Sequence, residues 1–119
     1  MTKMDDKVLA VLKKLEQYQI YKVDLLALVT DTSYEVTFFG YFNNKYEQSN
    51  TLAEQGVIPF DALEAFYADI AKLVRSLPKY DAGKLNILKV DEGEVSFRQK
   101  DRSSDTFTIV NRWERSLGI

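Results

Sequence analysis

At 119 residues the chain fits one domain and is long enough to bury a real core, and its 45% hydrophobic and 13% aromatic content is that of a folded protein. It contains neither histidine nor cysteine, which excludes disulfides, zinc–thiolate sites and every catalytic triad built on an imidazole or a thiolate. The net charge of −2 is unevenly spread: residues 1–94 carry 11 Lys/Arg against 15 Asp/Glu, and residues 95–119 carry five against three.

Taken in order, residues 5–19 predict an amphipathic helix, with Val8, Val11, Leu12, Leu15 and Tyr18 on one side and Lys7, Lys13, Lys14 and Glu16 on the other. Lys22–Thr30 and Tyr34–Phe42 predict two strands joined as a hairpin by the turn formers Asp31, Thr32 and Ser33. Asn43 and Asn44, which tolerate left-handed geometry, mark the next turn, and Lys45–Asn50 returns as a polar edge strand. Leu52–Ile58 reads as a linker. Phe60–Leu77 is the best helix in the chain: Asp61 and Glu64 have capping-box spacing, and Leu63, Phe66, Tyr67, Ile70, Leu73, Val74 and Leu77 form a wide apolar stripe. Pro78 ends it.

After the polar loop 79–83, Lys84–Val90 and Glu94–Lys100 predict a second hairpin, with Gly93 free to take positive φ in its turn. A final helix over about Thr106–Leu117 has Ser104 or Asp105 as its cap, Phe107, Val110, Trp113 and Leu117 as its inner face, and Gly118 as its stop. The order α-β-β-β-α-β-β-α describes an α+β fold, one antiparallel sheet of about five strands with helices packed on it, over a single domain spanning 1–119. The first two strands are apolar on both faces, so they need cover on both faces or leave an aromatic patch for a partner.

The residues that could carry chemistry are few. No run approaches the roughly 18 apolar residues of a membrane span, and the acidic start without a small-residue cleavage site does not read as a signal peptide. A cytoplasmic location with no membrane partner is therefore expected. Asp91, Glu92 and Glu94 form one tight acidic cluster, but it sits beside a hairpin turn and lacks the ligand spacing of a calcium loop. The five glycines make neither a dinucleotide-binding fingerprint nor a phosphate-binding loop. No catalytic residue, metal or cofactor is expected. Tyr34, Phe38, Phe39, Tyr41, Phe42 and Tyr46 crowd into thirteen residues. They read either as core with ordinary cross-strand pairing or as a recognition surface of rigid rings. A duplex-binding surface would show a stronger positive stripe, so direct nucleic-acid binding is not expected, and the acidic part is suited to a basic protein surface.

The layout resembles the YezG-like immunity proteins, which protect bacteria from polymorphic toxins in contact-dependent growth inhibition and bacterial competition. The resemblance runs over nearly the whole chain: an N-terminal helix, the hairpin KVDLLALVTDTSYEVTFFGYF, the helix ALEAFYADIAKLVRSL, the hairpin KLNILKVDEGEVSFRQK, the polar stretch DRSSDTF and the closing RWERSLGI. It implies a toxin inhibitor that binds one cognate toxin, a basic nuclease domain, and occludes its active site or substrate groove. Combined with the charge reading, the expected partner-binding surface comprises Asp91, Glu92 and Glu94 with Tyr34, Glu35, Tyr41 and Tyr46. A second reading is a small-ligand-binding or regulatory domain that uses the aromatic sheet as a pocket wall. A carboxylate-based hydrolase is the third.

Overall fold

Apolar runs, alternating at the sheet's edge and unbroken in its middle, decide where the sheet forms, and tight turns join its hairpins. The computed structural model describes residues 3–118; Met1, Thr2 and Ile119, the ends of the expected domain, lie outside the described residues. The elements are α1 (Lys3–Lys13), a 3₁₀ turn (Lys14–Tyr18), β1 (Tyr21–Val29), β2 (Tyr34–Phe42), β3 (Lys45–Gln48), α2 (Ser49–Glu54), α3 (Phe60–Arg75), β4 (Lys84–Asp91), β5 (Glu94–Asp101) and α4 (Thr106–Ser116). The five strands form one sheet in the order β3-β2-β1-β4-β5, with every neighbouring pair antiparallel. This is the expected α+β fold. Both outer hairpins turn on two residues of positive φ, Asn43 and Asn44 (51° and 64°) and Glu92 and Gly93 (49° and 82°), the geometry whose twist matches that of the flanking strands.

The two faces of the sheet are covered unequally. Leu25, Ala27, Val29, Val36, Phe38, Leu88 and Val90 point to one side, where they are buried beneath α1, α2 and α3. Phe38 is fully buried and meets Phe66 of α3 edge-on, with ring centroids 5.3 Å apart. Leu26, Leu28, Phe39, Leu85 and Ile87 point to the other side, where Ile109 and Trp113 of α4 cover them. Both faces of β1 are thus buried, as its unbroken apolar run requires.

Five elements depart from the sequence expectation. The first helix does not run to residue 19: after Lys13 it tightens into a 3₁₀ turn, which Gln19 closes in the left-handed region. Three residues per turn bring Leu15 beneath Leu12, and the closure seats Ile20 on the core. The edge strand stops at Gln48, and part of the expected linker is α2. There the Gln48 side chain accepts the Asn50 N–H at 2.8 Å, and Ser49, Leu52 and Ala53 are buried. The helix ends with the Gly56 N–H donating to the Ala53 carbonyl and the Val57 N–H to the Leu52 carbonyl, the paired bonds of a Schellman closure.

The expected capping box does not form either. Because α3 begins at Phe60, directly after Pro59, Asp61 lies inside the first turn and acts on the helix dipole instead of capping. Its last helical residue is Arg75, two residues before the expected end. In α4 the cap is Asp105, whose carboxylate accepts the N–H groups of Phe107 and Thr108. Ile109 and Trp113 form its inner face, whereas Phe107, expected there, is 72% exposed. The burying positions fall at 109 and 113, one turn apart, and Phe107, two residues before Ile109 and about 200° round the helix from it, faces outward.

Candidate functional site

The start of β1 carries the irregularity that shapes the site. Tyr21 pairs with Tyr41 and Asp24 with Phe39, so Lys22 and Val23 together oppose Gly40 alone. Lys22 takes φ 52° to make this bulge. Gly40 is required opposite it: a Cβ there would lie 2.5 Å from Ile20 Cγ2 and 3.4 Å from Val23 Cγ2. The bulged segment, Tyr21 to Asp24, lines a groove of about 1090 Å³ at this end of the molecule. Its walls are α1 with the 3₁₀ turn, the start of β1, the β4–β5 turn and the end of α4.

Five of the seven expected partner-binding residues line this groove: Asp91, Glu92, Glu94, Tyr41 and Tyr46. Tyr34 and Glu35 do not. They start β2, seven residues before Tyr41, about 23 Å away at ~3.3 Å per residue. There the Arg75 guanidinium lies over the Tyr34 ring, 5.8 Å from its centroid, and Glu35 is exposed. The sequence reading also missed Glu16, Lys22 and, above all, Asp24, which line the groove. Asp24 had a signal: it is the one carboxylate in an otherwise apolar strand.

Asp24 organises the floor. Its Oδ2 accepts the Tyr46 hydroxyl at 2.5 Å, and its Oδ1 accepts the Glu92 N–H at 2.8 Å, which fixes the β4–β5 turn. The Leu25–Val90 pairing places Asp91 beside it on the next strand. Asp91 accepts the indole N–H of Trp113 at 3.1 Å and pairs with Lys89 at 3.3 Å. Each of the four carboxylate oxygens therefore has its own donor, and two like charges are held side by side without being free to move. Burial, then the bond to Asp24, pushes the Tyr46 phenol well above its ordinary value, so the ring stays neutral.

An aromatic row crosses the same face. Trp113, Phe39, Tyr46 and Tyr41 follow one another with centroid separations of 5.8, 5.4 and 4.9 Å. Its Trp113 end is buried and its Tyr41 end is 41% exposed. Phe38 and Phe39 are buried, so they offer no pocket wall.

Five carboxylates line the groove (Glu16, Asp24, Asp91, Glu92 and Glu94) against three lysines (Lys13, Lys22 and Lys89), giving a net acidic field. Among the described residues no three carboxylates are gathered closely enough to hold a metal ion, and no helix is long and apolar enough to cross a membrane. What the groove offers chemically is a net negative field beside tyrosine faces, a combination that attracts cationic groups. No protein-family model matches this chain, and no curated protein or solved structure is significantly similar to it.

Proposed function

We propose that this chain is an immunity-type inhibitor, a protein that neutralises a cognate toxin by presenting its acidic–aromatic groove to a basic surface of that toxin, a nuclease domain. The observation that carries the reading is the convergence of Asp91, Glu92, Glu94, Tyr41 and Tyr46 on one net-acidic groove. They come from β2, β3, β4, β5 and the turn between the last two. A rigid scaffold that fixes acidic groups beside tyrosines suits steered, specific capture of a basic protein. The layout resemblance to the YezG-like family supplies the class of partner.

The test is co-expression with the protein encoded by the neighbouring gene, scoring cell survival and co-purification. The reading requires that the neighbour alone is lethal and that the pair co-purifies without killing. A second arm uses the exposed acids only, Glu16→Lys, Glu92→Lys and Glu94→Lys together, since Asp24 and Asp91 also hold the fold. This variant should remain folded and lose protection. A harmless neighbour with no co-purification removes the inhibitor reading. A protective triple variant keeps the inhibitor but removes the groove as its interface.

A further inference from the structure

On the α4 side of the sheet a second groove, of about 440 Å³, runs between α4 and the β4–β5 hairpin. Its character is opposite to that of the first. Lys89, Arg98, Lys100 and Arg112 line it, brought together from β4, β5 and α4. Arg98 and Lys100 are two apart on β5 and so share one face. Lys89 pairs with Ser96, which makes it the diagonal neighbour of Arg98. Arg112 faces them from α4, with Thr108 and Ser116 one turn away on either side.

The charge in this groove is not compensated. Lys89 is engaged by Asp91, and that pair forms the divide between the two grooves. Among the described residues Arg98, Lys100 and Arg112 make no ion pair. The one carboxylate at the groove, Asp105, is committed to the N–H groups of Phe107 and Thr108 and to the Thr108 hydroxyl. These contacts hold the Asp105 carboxyl below its usual value. Three cations are thus left facing one concavity.

We propose that this groove binds a small phosphate monoester, held by Arg98, Lys100 and Arg112. Three converging cations exceed what a single carboxylate balances and match the charge of about −1.5 to −2 that a phosphate monoester carries at pH 7. Two of the three are arginines, whose planar forks fit phosphate oxygens two at a time. The cations line the inside of a cleft roofed by a helix and do not form a stripe across an open surface, which favours a small molecule over a duplex. Leu26 and Ile109 edge the floor, where the organic part of the ligand would rest. This site shares only the Lys89 and Ser116 borders with the acidic groove, and it stands or falls independently of the inhibitor reading.

The test is an amide and indole N–H NMR titration of the whole chain with inorganic phosphate, adenosine monophosphate, adenosine and a short single-stranded oligonucleotide. Trp113 is the sole tryptophan and borders the groove, so its single indole resonance, read together with the Arg98 and Arg112 amides, reports the site. The expected result is saturable shifts at Trp113, Arg98 and Arg112 with phosphate and the monophosphate, weakening as salt is added, and no shifts with adenosine. Arg98→Gln and Arg112→Gln alter exposed side chains, so melting curves should match the parent while affinity falls about tenfold or more. Arg115→Gln, on the same helix but away from the groove, should bind as the parent. Absence of shifts with both phosphates overturns the proposal. So do equal shifts with adenosine, undiminished binding by both Gln variants, or binding of a single-stranded oligonucleotide alone.

Discussion

Gly40 shows how one missing side chain permits the site to exist. Its strand neighbours are large, and the bulge at Lys22 and Val23 pushes Ile20 to within 2.5 Å of where its Cβ would be. Gly40→Ala must displace Ile20, itself fully buried, and should destabilise the fold by about 1–3 kcal/mol. A lower urea midpoint at unchanged m-value is the expected reading. Glu92 shows the reverse, a residue kept where its backbone does not favour it. It occupies φ 49° in a two-residue turn that prefers Asn. Glu92→Asn should raise stability by roughly 0.5–1 kcal/mol while removing an acid from the groove, so a melting curve and a binding curve should move in opposite senses.

Tyr46 gives a pH signature at the same scale. Burial first, and the Asp24 carboxylate second, raise its folded pKa above the ordinary tyrosine value of about 10. The folded state therefore keeps a proton that the unfolded chain releases. Stability is complete below that value and declines as pH rises past it. Tyr67, also raised by burial, adds to the decline. In Tyr46→Phe the fall of the urea midpoint from about pH 9 to 11 should be shallower than in the parent. Equal slopes would show that Tyr46 ionises as freely folded as unfolded.

At the scale of elements, buried polar groups decide which loops are fixed. Asn86 is fully buried in the middle of β4. Its amide nitrogen donates to the carbonyls of Val29, Asp81 and Lys84, and its oxygen accepts from the Asp81 N–H and the Gln99 side chain. One side chain thereby ties the loop after α3 to β1 and β5. Asn86→Ala leaves several of these partners buried and unsatisfied, and should destabilise by about 2–3 kcal/mol. Hydrogen exchange should quicken first at residues 79–83.

Nothing in KLNILKV distinguishes this asparagine from an edge-facing polar residue, because its five hydrogen bonds go to four residues that the fold brings together, Val29 from 57 positions away. The strands, the hairpin turns and the central helix were legible because short apolar runs, Asn–Asn, Gly93 and helical periodicity act over a few residues. The element α2 was not, since Ser49, Leu52 and Ala53 give only one turn of periodicity, although Gly56 marked its end. Of the site, the acidic turn, Tyr41 and Tyr46 could be named in advance. Asp24 carried a signal as the one carboxylate of β1, but its role depends on the register that sets β1 beside β4.

The whole molecule is electrically divided, and the division predicts how it should meet a partner. Glu16, Glu92 and Glu94 stand at one end, while Arg98, Lys100 and Arg112 stand beyond the Lys89–Asp91 pair. A net charge of −2 conceals this dipole. A basic partner of the kind proposed, approaching the acidic end, would be steered by a field that salt screens over ~8–10 Å, whereas contacts formed after docking would be shielded from it. Raising ionic strength should therefore slow association far more than it speeds dissociation, as read by stopped-flow mixing. In the Glu16→Lys, Glu92→Lys, Glu94→Lys variant the association rate should fall and its salt dependence flatten or reverse, because the steering charge has changed sign. An association rate that is insensitive to salt in the parent would mean that the partner docks elsewhere on the fold. The tyrosines would then be the residues to test next, since Tyr41 and Tyr21 are the exposed rings beside the groove and their contribution lies in dissociation.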